Sequence, residues 1–504
     1  MIRGIRIAVI GLSVWAVAGV AMAKAPRGPI LLDAPTKVVQ AQISRGAALE
    51  DLRSLDQTIR AMVPDGALIP AQDETNAFLS RAASSLPATL SRRQMAAITM
   101  ELAGSYSSSH IYLLFPFENW NLDADRGGRR LNRSVALAPD DALLIDNRPV
   151  QTINGRAATD FVDWVKGSYG RFNPLRLPQR VREGGAEMLW LWGIDGPFTI
   201  VFRDGSQEVI EGVAMSRREH PLASQSQPTS QTQTSQAPFS LLIEKTIARL
   251  DIETLDQRFV GEWEALMSEL QAGIAQGKVT SLIVDLRGNR GGAGRLSVGL
   301  LKVLTGTDVP MSGGKRWKRS KAYEDGLAEF VPPLLRFAPW RRAILGADGV
   351  AALDSIPMGE TRLFGSNGLP KVTSILPSNR VRILIDHNTG SSATQLARAI
   401  QFFKLGELIG APTSSSTSEL GEIAFFRLEN SQLVFASPSA EFLDVSGQRT
   451  SGPVMPDVLV CGDNGLFEPG RALDVALNMN PPDVRQILKP VFQANASESD
   501  YCGK

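Results

Sequence analysis

Two apolar runs of strand length each end in an aspartate and pass directly into a loop of small residues and then a helix. Leu282 to Val284 ends in Asp285 and enters Leu286-Arg287-Gly288-Asn289-Arg290-Gly291-Gly292-Ala293-Gly294. Val381 to Ile385 ends in Asp386 and enters Asn388-Thr389-Gly390-Ser391-Ser392-Ala393-Thr394-Gln395. A continuously apolar strand is buried on both faces, and the strand–loop–helix unit supplies the helices that cover them. Residues 239–480 are therefore expected to form a layered α/β domain. It opens with a strand, Ile247 to Ile252, and a helix, Phe259 to Ile274, that sets Phe259, Trp263, Leu266, Leu270 and Ile274 on one face.

The upstream half reads differently. Residues 24–135 are expected to form a helical domain. Leu49, Leu52, Leu55, Ile59, Met62 and Val63 share a helical face, a second helix spans Asp73 to Ala83, and a third spans Ser91 to Leu102 with Ser91 as N-cap. A polar loop, Gly104 to His110, then leads to a strand-like run, Ile111 to Phe115. Residues 136–221 read as short strands, Ala142 to Ile145 and Val150 to Ile153, a helix from Asp160 to Val165, and a hairpin of Phe198 to Phe202 and Gln207 to Ile210 about Asp204-Gly205. That order suggests a PDZ-like module. Residues 222–238 are a Ser/Gln/Thr-rich linker, and 481–504 a C-terminal tail.

Arg3 and Arg6, the apolar run Ile7 to Val20 and the small-x-small end Ala21-Met22-Ala23 predict a cleaved secretory signal over residues 1–23, with an uncleaved anchor as the alternative. The protein is thus expected to be exported, periplasmic or secreted, with no later membrane span. In an oxidising compartment Cys461 and Cys502 either pair or stay two unrelated thiols. Neither stands in a metal-ligand spacing, so no metal or cofactor is expected. With 53 basic and 52 acidic residues, the charge balance gives no reason to expect a nucleic-acid partner.

The glycine-rich loop after Asp285 lacks the third glycine of a dinucleotide fingerprint and the Gly-Lys-Ser/Thr of a phosphate loop. Its backbone N–H groups remain as an oxyanion site or a plain tight turn. In the second loop, Ser392 sits where a strand turns into a helix, with the Ala393 N–H beside it, so it is a candidate nucleophile. Capping of the helix by Ser391 and Ser392 is the competing reading. The chain has three histidines, His110, His220 and His387. His220 lies beside the linker; His387 is close to Ser392 in sequence; His110 lies on a loop next to Ser109, a position suited to a functional residue.

Together these segments resemble the family of the C-terminal-processing (tail-specific) proteases, the tricorn protease core and the retinoid-binding repeat proteins. Asp285–Gly292 resembles the family's Asp-Leu-Arg-Gly-Asn-x-Gly-Gly, and Asn388–Gln395 its nucleophile turn, which aligns Ser392 with the catalytic serine. Gly410-Ala411-Pro412-Thr413 resembles Gly-Glu-Pro-Thr, Gly452–Asp457 resembles Gly-Val-x-Pro-Asp, and Val150–Gly155 a PDZ-like segment. The resemblance implies a ClpP/crotonase-like catalytic domain and a serine peptidase acting on protein or peptide substrates. It also implies an oxyanion hole of Ala393 with Gly291 or Gly292. The lysine used by tail-specific members would fall near Ser416, yet no lysine occurs between Lys404 and Lys489. Tricorn-like members use a histidine preceded by a serine, and Ser109-His110 stands in that place. The tricorn carboxylate aligns near Thr450, where no acid stands, which leaves Glu419, Glu422 and Asp444 as candidates. Further departures are Gln395 for the family's glutamate and Pro453 in the closing motif. The alternative function is a non-catalytic ligand- or peptide-binding protein on the same fold.

Overall fold

The computed structural model describes residues 42–106, 108–114, 128–138, 140–170, 174–214, 238–329, 331, 336, 340–365, 368–463, 465–478, 484–493 and 496–503. The expected signal sequence, His220 and all of the expected linker but Pro238 lie outside the described residues.

Three helices come first: α1 (Arg45–Met62), α2 (Gln72–Ser85) and α3 (Arg92–Ser105). Ser91 caps α3 as its sequence position predicts. Its hydroxyl accepts the Gln94 N–H while the Gln94 side chain accepts the Ser91 N–H, so two otherwise orphaned donors are satisfied. The chain then enters β1 (Tyr112–Leu114).

The next unit is a sheet of β2 (Val135–Leu137), β3 (Leu143–Ile145), β4 (Arg148–Ile153), β5 (Phe198–Phe202) and β6 (Gln207–Ile210), with a short strand, Arg156–Ala157, on β4. Helices α4 (Ala158–Val165) and α5 (Leu177–Leu191) cover it. The sequence reading of strands and turns missed α5. The Gly184-Gly185 pair lowers its helix propensity, and Gly184 leaves helical geometry (φ −143°, ψ 16°). Burial of Leu177, Val181, Met188 and Leu189 against the sheet outweighs that cost.

A layered α/β unit forms here, but it runs past the expected end at residue 480: the expected tail supplies its last strand, which pairs antiparallel with Val458–Gly462. A seven-stranded sheet runs in the order β7 (Phe239–Glu244), β8 (Ile247–Ile252), β9 (Ser281–Asp285), β12 (Val381–Ile385), β13 (Glu407–Gly410), β16 (Val458–Gly462), β17 (Val484–Leu488). Its five inner strands are parallel and its two edges antiparallel. Helices α6 (Val260–Ala275), α7 (Gly294–Thr305) and α8 (Ser392–Phe402) pack on one face through Trp263, Leu270, Leu300, Leu396 and Ile400. The alternate strand residues Ile283, Leu384 and Ile409 face a short helix, Ala472–Ala476, on the other. Cys461 and Cys502 are bonded, so the paired reading holds; the link fastens α9 (Glu498–Cys502) to β16.

A second sheet is built from β10 (Gly314–Lys318), β11 (Thr361–Gly365), β14 (Glu419–Arg427) and β15 (Val434–Leu443), in the order β11-β10-β15-β14. β1 adds to β15 in antiparallel register, Tyr112 opposite Ala436 and Leu114 opposite Val434. Leu52, Leu55 and Met95 of the helices share one buried cluster with Leu420, Leu433 and Phe435 of this sheet. The loop that carries His110 is thereby fixed between the helices and the sheet. No described helix is long and apolar enough to cross a membrane.

Candidate active site

The loops after β9 and β12 are tied to each other. The Asp386 carboxylate accepts the N–H groups of Gly288, Asn388 and Thr389 at 2.9 Å each. Thr389 donates its hydroxyl to Leu286 O (2.9 Å), and the Gly390 N–H bonds to Asn289 O (2.9 Å). The chain reverses at Ser391, whose φ of 50° and ψ of −127° lie in a region that residues with a Cβ rarely adopt. Ser415 accepts the Ser391 N–H at 3.0 Å. α8 starts at Ser392, and neither serine caps it: Ser391, the N-cap residue, makes no side-chain cap bond, and the Ser392 hydroxyl donates to Gly292 O at 3.1 Å.

Close approach explains the two glycines opposite. A Cβ on Gly291 (φ 97°) would lie 2.8 Å from Gly390 O and 2.9 Å from Ser392 N; one on Gly292 (φ 140°) would lie 2.2 Å from Leu255 O. Of the three N–H groups expected to hold an oxyanion, two are taken. Ala393 donates to Gly390 O at 3.0 Å and Gly291 to Asn289 Oδ1 at 2.8 Å. The Gly292 N–H makes no hydrogen bond among the described residues.

A second group of polar side chains gathers at the start of β14. His110 Nδ1 lies 3.1 Å from Ser109 Oγ and 3.1 Å from Glu419 Oε1, and Ser109 donates its hydroxyl to the same carboxylate. Glu419 is buried, and the His110 side chain is 18% exposed. Burial alone would push the imidazole toward its neutral form. The Glu419 charge and its hydrogen bond outweigh burial, and the His110 pKa is raised above the ordinary histidine value. Nδ1 is thus committed, and Nε2 makes no hydrogen bond to a described residue. His110 and Ser392 share no hydrogen bond in this structure. The two groups are linked through one short segment, because Ser415 holds the Ser391 N–H and Glu419 follows it by four residues.

The three acids left open by the sequence are thereby separated. Glu422 pairs with Lys315 Nζ at 2.9 Å, and the buried Asp444 with Arg398 at 3.0 Å. Glu419 alone of the three touches a histidine. Thr450, aligned with the family's carboxylate, joins a hydroxyl network instead: its Oγ1 is 2.7 Å from Thr417 Oγ1, and its N–H bonds to Ser418 Oγ at 2.8 Å. Ser416 donates to Thr450 O at 3.2 Å. This network adjoins Glu419 along the chain. The sequence left Glu419 as one of three candidates and could not single it out, because its partner Ser109 lies 310 residues away. His387 serves packing: it is buried, stacks on Phe467 with ring centres 5.6 Å apart, and burial lowers its pKa to about 3.

Residues 246–460 match the Peptidase family S41 profile. No curated protein matches the chain. Among solved structures, a serine-to-alanine mutant of CPAF aligns with a TM-score of 0.52 at 13% identity, covering 82% of this chain and 92% of that one. Mature CPAF gives a TM-score of 0.48 at 14% identity, with 82% and 92% covered. The photosystem II D1 C-terminal processing protease gives 0.36 at 11% identity, with 82% and 92% covered. At these identities the first likeness establishes a shared mixed α/β fold. Residues 246–460, the stretch that matches the Peptidase family S41 profile, carry both loops and Ser392, and with that match the protein is a serine peptidase, a hydrolase.

Proposed function

We propose that the protein hydrolyses peptide bonds of exported proteins or peptides, with Ser392 as nucleophile and His110 as general base, in the manner of the tricorn-like rather than the lysine-using members of the family. The observation that carries this reading is the Glu419–Ser109–His110 arrangement. A carboxylate and a hydroxyl on Nδ1 fix the tautomer and orientation of an imidazole and leave Nε2 as the basic nitrogen. The lack of any lysine from 405 to 488 supports the same branch.

In this mechanism the Ser392 hydroxyl leaves Gly292 O and gives its proton to His110 Nε2 as Oγ attacks the substrate carbonyl carbon. The imidazolium, stabilised by Glu419, then protonates the departing amine, and water repeats the sequence to release the acyl group. The Gly292 N–H, uncommitted beside Ser392, is the first oxyanion donor. Ala393 joins it once the substrate oxygen replaces Gly390 O. The six-stranded unit before the catalytic domain is taken as PDZ-like and suited to an extended chain end. Export is supported by the N-terminal charge and apolar pattern and by the Cys461–Cys502 bond.

A fluorophosphonate probe tests the assignment. Labelling at Ser392, its loss together with caseinolysis in Ser392→Ala, and an unchanged melting temperature are expected. Caseinolysis that survives Ser392→Ala would overturn the proposal and leave a binding role for this loop.

A further inference from the structure

Asn388 stands four residues before Ser392, and its side-chain amide is held from both ends by α5 of the preceding unit. Arg176 Nη2, at the foot of that helix, donates to Asn388 Oδ1 at 3.2 Å. Asn388 Nδ2 donates to Glu183 Oε1 at 3.1 Å. The orientation of the amide is fixed by chemistry, because the reverse would set NH2 against a guanidinium and oxygen against a carboxylate. Arg176 is buried at 8% exposure, and its Nε has no partner among the described residues, so Asn388 is a principal reason for its direction.

Other contacts hold α5 against the catalytic domain at the same place. Leu175 lies in the buried cluster with Ala411, Leu459, Phe467 and the cystine, and Arg182 lies 4.0 Å from Glu498 of α9. The same helix sends Val181, Met188 and Leu189 into the core of its own unit. The segment from Leu175 through α5 therefore contributes to two cores, and its first half touches the nucleophile turn. Beyond Asn388 that turn contains the strained Ser391, a conformation that persists only where its surroundings enforce it.

We propose that Arg176 and Glu183 are positioning residues: they grip Asn388 and set the Ser391–Ser392 turn, so that the unit ahead of the catalytic domain controls the reactivity of the nucleophile. The inference rests on the reading of Ser392 as nucleophile. It predicts that the grip acts on the rate of the chemical step and not on substrate binding.

The test uses the full chain and the rate at which a small fluorophosphonate, too short to reach the preceding unit, labels Ser392. Asn388→Asp keeps an acceptor for Arg176 but sets like charges against Glu183. It is expected to slow labelling by about ten- to a hundredfold, the range that a displacement near an ångström at a reacting centre produces. Adding Glu183→Gln to Asn388→Asp restores a donor–acceptor pair and should bring the rate back to within about twofold of the parent. With casein, the same pair should change kcat and leave KM in place. A double variant no faster than Asn388→Asp, or an Asn388→Asp rate equal to that of the parent, would overturn the grip while leaving Ser392 as nucleophile. Failure of the unmodified protein to label at Ser392 would remove both.

Discussion

If His110 is the base proposed above, Glu419 sets the pH at which it acts. Its charge holds the imidazole pKa above the usual value of about 6.5, so the base form is lost at a higher pH than for a free histidine. The acid limb of kcat/KM should therefore lie above that value. Glu419→Gln removes the attraction and leaves burial, which lowers the pKa; the acid limb should then move to lower pH. Maximal kcat should fall at least about tenfold, since the imidazolium formed during attack loses its counter-charge. A pH–rate profile of the two proteins checks both effects, and an unmoved limb would place the carboxylate outside the relay. The same linkage has a stability side. The raised pKa contributes stability that is full below the unfolded-state value and is lost as pH rises through the folded-state value. At Gly292 the limit is space: Gly292→Ala puts a methyl 2.2 Å from Leu255 O at φ 140°. A loss of at least about 2 kcal/mol in chemical denaturation is expected, from a backbone clash together with a disfavoured φ.

At the scale of elements, the sequence was readable wherever a local rule sufficed. Ser91 announces the start of α3, and Asp204-Gly205 the β5–β6 turn; the strands Ile247–Ile252 and Val381–Ile385 fall where their apolar runs predict. Ser91→Ala should cost about 1 kcal/mol in chemical denaturation, because it removes both halves of the capping box. Local rules fail for α5, whose helical state depends on burial against a sheet formed by residues on both sides of it. They fail also for Glu419, Glu422 and Asp444, three acids that look alike in sequence and are distinguished only by distant partners at His110, Lys315 and Arg398. The cystine is intermediate, since composition permits it and only the fold brings its ends together. It closes a loop of 41 residues, so breaking it with Cys502→Ser should lower stability by up to about 4 kcal/mol on the chain-entropy account. Urea denaturation with and without reductant measures this, and the parent under reduction should match the variant.

For the whole molecule, the decisive contact is the one that joins its first helices to a hairpin more than 300 residues later. The turn between β14 and β15 is held by two buried charged side chains. Asp51 accepts the N–H groups of Asn430 (3.0 Å) and Ser431 (2.8 Å), while Arg92 donates to Ser431 O (3.0 Å) and Gln432 O (3.2 Å). Both are 1% exposed, so neither can exchange these partners for water. Because β1 leaves the same helical segment and pairs with β15, this clamp fixes the segment that delivers His110 to Glu419. Asp51→Ala strips the buried Ser431 N–H of its acceptor, at about 1–3 kcal/mol, and the half-buried Asn430 N–H as well. The helices and the second sheet share one core, so the loss should appear as a shift of a single unfolding transition, reported alike by tryptophan fluorescence and by circular dichroism. Turnover should fall along that same transition, since no partly folded form would retain both the histidine and the serine in reach of one substrate. Two separated transitions, with caseinolysis surviving the first, would show that the helical segment is not needed to assemble the site.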